Sequence, residues 1–333
     1  MRMFARAPLA VAPLTVTMVA VALLAGVAAR GEGLHVWKHG IIEMKSDAGL
    51  VVMPLQNQFT APYGLSIDIV NVQSDQVGLK ALIAGQLDSY EGAPNSAIVA
   101  AGRGAGVKIV ACAWPLLVQG IFVRNDVRDI ADLRGRNVAI SAPGSMPDLV
   151  MRAALKQSGT PPSEVTFASL GSDADRFKSL VAGIVSGAVV SSEFSTLAPP
   201  GIRMIKRLSE VYPQFLRGCI VTSDKQLATR HDDVIGLVAA EITGLHYALA
   251  HRDETIALTK RLTKAADDDP RAAFVFDQAT SQHQIDPDMN LPIDKIEWMQ
   301  DLLVQVGNVT RPVPADRLVD SAIRPAALSL ARP

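Results

Sequence analysis

Short apolar runs rich in β-branched residues alternate with helical patterns over the first two thirds of the chain. This alternation is typical of mostly parallel sheets whose faces are covered by helices. The predicted strands are GLHVW, SIDIV, LDSYE, VKIVACA, 137–141, 164–169 and 186–191. Helices are predicted within 45–60, near 75–85, and at 95–103, 145–158, 173–183, 231–251, 253–264, 270–282 and 292–306. The pattern is therefore almost wholly helical after about Asp224.

An internal repeat divides the alternating part of the chain. Residues 79–88 (LKALIAGQLD) match residues 177–186 (FKSLVAGIVS), and each segment predicts an amphipathic helix, a glycine stop and a short strand. Chance similarity between Ala/Leu-rich helices is the alternative explanation. The placement predicts two lobes built on one plan, with the extended segments 114–124 and 213–221 as crossovers between them.

The N-terminus has the pattern of an export signal. Arg2 and Arg6 precede an apolar run from about Leu9 to Val27, and small residues follow at a suitable cleavage site. We therefore predict a signal peptide at 1–29, cleaved near Ala29, and a periplasmic location. The alternative is an uncleaved anchor helix, because about 18 to 20 apolar residues can span a bilayer. No cysteine follows the run, so a lipoprotein is not expected.

Composition and charge narrow the possible partners. A chain of 333 residues with 49% hydrophobic content can bury a large core. The chain has 32 basic and 33 acidic residues, so its charge is nearly balanced, and it has no long run of basic residues. Because, in addition, only 5% of its residues are aromatic, nucleic acid is not an expected partner. Cys112 and Cys219 could form a disulfide after export, although two buried free thiols are the commoner outcome in such a chain.

Signatures of catalysis and of metal binding are missing from the sequence. It has no G-x-S-x-G elbow, no phosphate loop ending in Gly-Lys-Ser/Thr, no H-E-x-x-H and no Cys/His cluster. Gly102 to Gly106 (GRGAG) follows a predicted helix and precedes a strand, which is the reverse of a dinucleotide-binding loop. We therefore expect no metal, no cofactor and no enzymatic activity.

Candidate ligand-binding residues follow from the predicted topology. In open parallel sheets, ligands bind at the carboxyl ends of strands, where loops lead into helix N-termini. Four such junctions are Lys38 to Gly40, Glu91 to Ser96, Ser141 to Met146 and Ser191 to Glu193. Two come from each expected lobe, so one cleft between the lobes would be lined by all four. The candidate residues are Lys38, His39, Glu91, Pro94, Asn95, Ser96, Trp114, Ser141, Gly144, Ser145, Met146 and Glu193.

An ordered series of motifs carries a resemblance to a known family. The motifs are LKALIAGQLDSYEG (79–92), AGRGAGVKIVA (101–111), IADLRGRNVA (130–139) and SAPGS (141–145). Together they resemble periplasmic substrate-binding proteins of ABC importers. The similarity is greatest to the nitrate/sulfonate/taurine-type branch, which shares its domain family with thiamine-pyrimidine synthesis proteins. It extends from about Leu34 to the final helix.

The resemblance implies a two-lobe α/β fold, the type II periplasmic binding protein fold, in which two crossover segments form a hinge. Lobe 1 would comprise 34–117 plus 218–333, and lobe 2 would comprise 118–217. Ligand would be held chiefly by Asn95, Ser96, Gly144, Ser145 and the segment near Glu193. A monomeric receptor would close around its ligand and deliver it to an ABC permease in the inner membrane. The alternatives are a thiamine-pyrimidine synthase-like enzyme and an accessory ligand-binding protein for a sensor.

The ligand stays open between several classes of small molecule. Met146 stands where relatives frequently have a hydroxyl, and Glu91 would repel an anion or attract an amine, whereas Lys38 and His39 would favour an anion. We expect a small polar ligand with an apolar or aromatic part against Trp114 and Met146. Sulfonates, carboxylates, aromatic compounds and pyrimidines all fit that description.

The stretch ISAPGSMPDLV (140–150) combines a helix start with one of these junctions. Ser145 and Asp148 have the spacing of a capping box, in which the serine oxygen accepts a backbone hydrogen bond. We expect the hydroxyl proton of Ser145 to remain free to donate to the ligand.

Overall fold

Two five-stranded sheets form the framework of the computed structural model, which describes residues 33–332. The predicted signal peptide at 1–29 lies outside these residues. The first sheet contains β1 (His35–Ile42), β2 (Leu65–Val72), β3 (Ser89–Gly92), β4 (Val107–Trp114) and β10 (Gly218–Ser223). The second contains β5 (Gln119–Arg124), β6 (Asn137–Ile140), β7 (Thr166–Ser169), β8 (Gly187–Ser191) and β9 (Ile202–Arg207). Their orders are β2-β1-β3-β10-β4 and β7-β6-β8-β5-β9.

The two sheets have the same pattern of strand directions. β1 runs parallel to β2 and β3, and β10 runs antiparallel to β3 and β4. In the second sheet β6 runs parallel to β7 and β8, and β5 runs antiparallel to β8 and β9. Each sheet is therefore mostly parallel with one reversed strand, and that strand is the one supplied after the chain has crossed from the other sheet.

The helices cover these sheets and make up most of the last third of the described chain. They are α1 (Ala48–Val52), α2 (Asn57–Thr60), α3 (Asp75–Ile83), α4 (Asn95–Gly102), α5 (Met146–Gln157), α6 (Asp173–Val181), α7 (Leu208–Val211), α8 (Asp224–Thr229), α9 (His231–Ala250), α10 (Arg252–Thr263), α11 (Arg271–Ser281), α12 (Ile293–Gln305), α13 (Ala315–Leu318) and α14 (Ile323–Leu330). Among them α9 is long and apolar enough to cross a membrane, but 67% of its apolar stretch is buried in the fold. It packs in one apolar cluster with Trp37 and Ile220 of the first sheet.

The repeat in the sequence corresponds to a repeat in the structure. The bounds of α6 lie 98 positions after those of α3, and β8 follows β3 at the same spacing. Gly85 and Gly183, which follow the two helices, both have a positive φ, of 70° and 75°, which a glycine adopts without the steric cost of a Cβ. The order of strands also corresponds throughout, with β1 matching β6 and β10 matching β5.

Local differences from the predicted elements have simple causes. The helix predicted within 45–60 is broken into α1 and α2 by a 3₁₀ turn that contains Pro54, because proline cannot continue an α-helix. Strand β9 was not predicted. It lies at the edge of the second sheet, where its half-exposed sequence IRMIKR gives only a weak pattern.

Cys112 and Cys219 form a disulfide, so the expectation of two free thiols is wrong. The two residues lie on the neighbouring strands β4 and β10, and both are buried. They are 107 positions apart in the sequence, and only the pairing of these strands brings them together.

Candidate functional site

A cavity of about 120 Å³ lies between the two sheets, at the carboxyl ends of their parallel strands. The first sheet contributes the loop after β1, the start of α3, the end of β3 and the segment before β10. The second contributes the junctions into α5 and α6. The polar and aromatic side chains that line the cavity include Glu43, Lys45, Asp47, Asp75, Glu91, Trp114, Gln119, Ser141, Ser145, Asp173, Arg176 and Arg217.

An ion pair crosses from one side of this cavity to the other. Lys45 Nζ, in the loop after β1, lies 2.7 Å from Asp173 Oδ2 at the start of α6, and 3.4 Å from Glu43 Oε2. Burial would raise the pKa of Asp173, but Lys45 and Arg176 outweigh it and hold this pKa well below its usual range. Burial likewise opposes the charge on Lys45, but Asp173 and Glu43 outweigh it and raise the pKa of the amine. Both groups therefore carry their charges.

A second cavity of about 370 Å³ also borders this ion pair. It is lined by Glu193, Phe194 and Arg271, and it shares Lys45 and Asp173 with the first cavity. Burial raises the pKa of Glu193 to about 8, and the nearby charge of Asp173 adds to the effect. The Lys45–Asp173 pair thus borders both the smaller and the larger cavity.

The two arginines that line the first cavity are engaged by protein groups. Arg176 is buried; its guanidinium binds Asp173 and the carbonyl of Gly171, and its Nε donates to the carbonyl of Val189 at 2.8 Å. The Arg217 guanidinium pairs with Asp47 and lies 4.0 Å above the Trp114 ring. Together with the paired Lys45, this leaves no cationic side chain of the described lining without a carboxylate partner.

Two carboxyls of the same cavity have no such partner. Asp75 Oδ1 accepts a hydrogen bond from the Ala93 N–H at 2.9 Å, but no basic side chain of residues 33–332 lies within 4.0 Å of a carboxyl oxygen of Asp75 or Glu91. Burial raises the pKa of Asp75 to about 6 and that of Glu91 to about 7. The described lining therefore contains more acidic than basic groups, with Glu43, Asp47, Asp75, Glu91 and Asp173 against Lys45, Arg176 and Arg217.

The turn before α5 is held by its own hydrogen bonds. The Ser145 hydroxyl donates to the Ala142 carbonyl at 2.6 Å and accepts from Ser141 Oγ at 2.8 Å, and it does not cap the helix. Asp148 instead accepts from the Gly144 N–H at 2.8 Å. The expectation that the Ser145 proton is free for a ligand is therefore wrong, because the carbonyl of its own turn takes it.

The family described as "NMT1/THI5 like" matches residues 51–255, which is more than half of the chain. The chain belongs to this family. No curated protein matches it significantly.

Solved structures with the same fold include binding proteins and an enzyme. The periplasmic aliphatic sulphonate binding protein SsuA from Escherichia coli superposes with a TM-score of 0.69 at 19% identity, covering 86% of this chain and 92% of SsuA. The alkanesulfonate-binding protein SsuA from Xanthomonas axonopodis pv. citri, bound to MOPS, gives 0.69 at 17%, with 87% and 99% covered. The desulfurization enzyme DSZB gives 0.64 at 16%, with 89% and 99% covered. These similarities confirm the predicted fold class, the two-lobe α/β fold of periplasmic binding proteins.

In this NMT1/THI5-like chain the predicted site residues fall into separate groups. Those that line the first cavity are Glu91, Trp114, Ser141, Ser145 and Met146. Glu193 lines the second cavity, and Ser96 and Gly144 line a third, outer groove of about 430 Å³. Asn95 Nδ2 donates to the Gly144 carbonyl at 3.2 Å, which ties α4 to the turn before α5, and Pro94 immediately precedes α4.

Lys38 and His39 are placed differently from the prediction. Both lie inside β1, which continues to Ile42, so they do not form the junction after the strand. Lys38 is exposed, whereas His39 is fully buried with Nδ1 2.7 Å from Ser89 Oγ. Burial lowers the pKa of His39 to about 3, which keeps the ring neutral. Neither residue belongs to the described lining of the first cavity.

Most charged residues of the cavity are absent from the sequence-predicted site, including Lys45, Asp75, Asp173, Arg176 and Arg217. A signal for two of them exists, because Ser74-Asp75 and Ser172-Asp173 have the spacing of the internal repeat and stand at the starts of its two helices. Extending the repeat five positions towards the N-terminus would have found both. Nothing in the local sequence marks Lys45 or Arg217.

Proposed function

We propose that this chain is a non-catalytic solute receptor that binds a small polar organic molecule between its two lobes and delivers it to an ABC permease of the inner membrane. The observation that carries the proposal is the cavity between the sheets, lined by groups from both and crossed by the Lys45–Asp173 ion pair. A ligand in this cavity would contact both lobes and would favour the closed state over an open one.

The proposed lobes are 34–117 plus 218–333 and 118–217, and the hinge is the pair of segments that connect them. Lys295 Nζ, on α12, donates to the carbonyls of Pro115 and Pro213, both at 2.9 Å. Pro115 lies in the segment that leads from β4 to β5, and Pro213 lies in the segment that leads back to β10. A single side chain that holds both segments together favours motion about one shared axis, as hinge closure requires.

The proposed cellular setting is the periplasm. A signal peptide at 1–29 would direct export, and the mature receptor would act as a monomer in contact with its permease. N-terminal sequencing of the exported protein tests this part of the proposal, because an intact Met1 would contradict cleavage near Ala29.

An enzyme of the same fold is the second candidate, and the similarity to the desulfurization enzyme DSZB favours it. In the described residues both cysteines are joined in a disulfide, so neither is a free thiol nucleophile. Conversion of a bound compound into a product would support this candidate over a receptor.

A ligand screen tests the receptor proposal. Sulfonates, carboxylates, aromatic acids, pyrimidines and amines would each be added to the purified chain while its melting temperature is recorded. A compound that binds only the folded state stabilises it by RT ln(1+[L]/Kd), so at least one class should raise the melting temperature. Chromatography of the compound after incubation should return it unchanged. A complete absence of stabilising compounds would contradict the proposal.

A further inference from the structure

Asp75 and Asp173 occupy the same position in the two halves of the fold. Each is the first residue of its helix, α3 or α6, and each follows a serine whose side chain caps that helix. Each carboxyl also accepts a backbone hydrogen bond at the end of the next parallel strand. The N–H of Ala93, just after β3, donates to Asp75 Oδ1 at 2.9 Å, and the N–H of Ser191, the last residue of β8, donates to Asp173 Oδ1 at 3.2 Å. Both carboxyls line the first cavity.

The two carboxyls differ in what they bind. Asp173 holds an ammonium group, the Nζ of Lys45 at 2.7 Å, and also the guanidinium of Arg176. The position in α3 that corresponds to Arg176 is Gly78, which packs against the Tyr90 ring and has no side chain to offer. Asp75 therefore has the backbone setting in which its counterpart binds an ammonium group, but the described residues supply none.

Two further acceptors line the same cavity. Glu91 has no basic partner within 4.0 Å among the described residues, and the Arg217 guanidinium that approaches it is already paired with Asp47. Gln119 is only 6% exposed, and its Oε1 is buried without a hydrogen-bond partner in the described part of the chain. A buried acceptor without a donor is costly, so a ligand that supplies N–H donors would relieve that cost.

We propose that Asp75, Glu91 and Gln119 form a subsite for a cationic nitrogen group, so that the ligand is an amine, an amidine or a guanidine and not a sulfonate. The inference rests on the proposed receptor function and names the class of its ligand. An anion would find each cation of the described lining already paired, and it would face the two carboxyls of Asp75 and Glu91. A cation would instead pair with these carboxyls, as Lys45 pairs with Asp173.

The pH dependence of binding distinguishes the two charges. Glu91 faces Arg217, Asp47, Trp114 and Glu241. Burial outweighs the attraction of Arg217 and favours the neutral form of Glu91. Asp75 faces Lys45, Arg217 and Tyr90, with the same net effect. A cationic ligand needs both carboxyls ionised, so its affinity should rise from pH 6 to pH 8 and its binding should release protons. An anionic ligand should bind more weakly as the pH rises.

The test uses the full mature chain and two matched sets of probes. The first set is butylamine, butanoate, butane-1-sulfonate and butan-1-ol, and the second is benzamidine, benzoate, benzenesulfonate and benzyl alcohol. Within each set the apolar part is kept close in size and the head group changes charge. We expect butylamine or benzamidine to raise the melting temperature, with calorimetry giving a lower Kd at pH 8 than at pH 6.

Three variants locate the subsite. Asp75→Asn keeps an oxygen for the Ala93 N–H, and Glu91→Gln keeps the shape of its side chain; each should weaken binding of the cationic probe about tenfold or more. Asp68→Asn removes an exposed carboxyl from the same sheet and should leave Kd unchanged. Circular dichroism and the melting temperature without ligand show whether each variant is folded.

Each other outcome overturns the inference in a distinct way. Binding of butane-1-sulfonate or butanoate in preference to the amine would refute the ligand class but leave the receptor proposal intact. Equal binding by wild type and both cavity variants would refute the subsite. If no probe binds, the inference fails, and the receptor proposal is then judged on the wider screen.

Discussion

The two sides of the cavity have the same backbone plan but a different chemical state. On the side of the second sheet, Asp173 is held by Lys45, Arg176 and the Ser191 N–H, so its charge is fully compensated. On the side of the first sheet, Asp75 has the matching backbone hydrogen bond but no cation among the described residues. A repeated fold thus fixes where a carboxyl stands, whereas the side chains around it decide whether the protein neutralises it: Lys45 and Arg176 lie beside Asp173, but Gly78 takes the place of the arginine beside Asp75.

The largest expected effect is on the compensated side. Arg176→Ala removes a buried partner of Asp173 and leaves the carbonyls of Gly171 and Val189 without their donor. We expect the free energy of unfolding to fall by about 3 to 5 kcal/mol, the usual cost of breaking a buried ion pair. Urea unfolding measures it. Arg128→Ala is the control, because its pair with Asp132 lies at the surface and should contribute far less to stability. Equal effects of the two variants would show that the Asp173 cluster is not structural.

The disulfide is a further difference, because it stabilises only the first sheet directly. It closes a loop that contains the whole second sheet, because its cysteines are 107 positions apart in the sequence. Removing it with Cys112→Ala and Cys219→Ala should lower the free energy of unfolding by about 2 to 5 kcal/mol. Unfolding in urea with and without reductant checks this. Reductant should destabilise the wild type and leave the double variant unchanged, and any other result would contradict a bonded pair.

The unpaired carboxyls should give the chain an unusual loss of stability towards alkaline pH. Glu91 and Glu193 have pKa values raised by burial to about 7 and about 8, so folding favours their protonated forms. Their contribution is complete below the unfolded pKa of about 4.5 and is lost as the pH rises through the folded values. We expect a fall of about 1 to 3 kcal/mol in the free energy of unfolding between pH 5 and pH 8.

Urea titrations at these two pH values test that slope. Glu91→Gln and Glu193→Gln should each reduce it, whereas Asp68→Asn should not, because Asp68 is exposed. Asp173 should act in the opposite sense. Its pKa is lowered in the folded state, so its contribution is present above the unfolded pKa and is lost as the pH falls below it. A flat profile in the wild type would contradict the raised pKa values of Glu91 and Glu193.

The smallest expected effect concerns closure. Lys45→Met removes the ion pair across the cavity but leaves Asp173 bound to Arg176. We expect a loss of about 1 kcal/mol in stability and a larger fraction of open molecules without ligand. Small-angle X-ray scattering should report an increased radius of gyration. No increase would mean that this pair does not hold the lobes together.

Much of the fold was predictable because its signals are local. The alternation of strands and helices, the two glycine stops and the repeat at 79–88 and 177–186 are patterns within short segments. The errors lie where the signal was weak. Lys38 and His39 were assigned to a junction because the end of β1 could not be located, and β9 is an edge strand with half-exposed residues.

The site was less predictable because its contacts join distant segments. The junctions at Glu91 and at Ser141 to Met146 followed from topology, and Glu91, Ser141, Ser145 and Met146 line the cavity. The Lys45–Asp173 pair connects residues 128 positions apart, and Arg217 reaches Asp47 over 170 positions. No local pattern of charges predicts which of these groups meet.

The sequence by itself determined the mostly parallel α/β plan, the repeat that builds two similar sheets, and the helix starts that face the cavity from α5 and α6. These depend on periodicity and capping, which act over a few residues. Only the tertiary structure decided that Cys112 bonds to Cys219, that the Ser145 hydroxyl is used within its turn, and that Asp173 is paired while Asp75 is not. Those outcomes depend on distances between segments far apart in the chain, and the energy of a charge or thiol is set by the groups that folding places next to it.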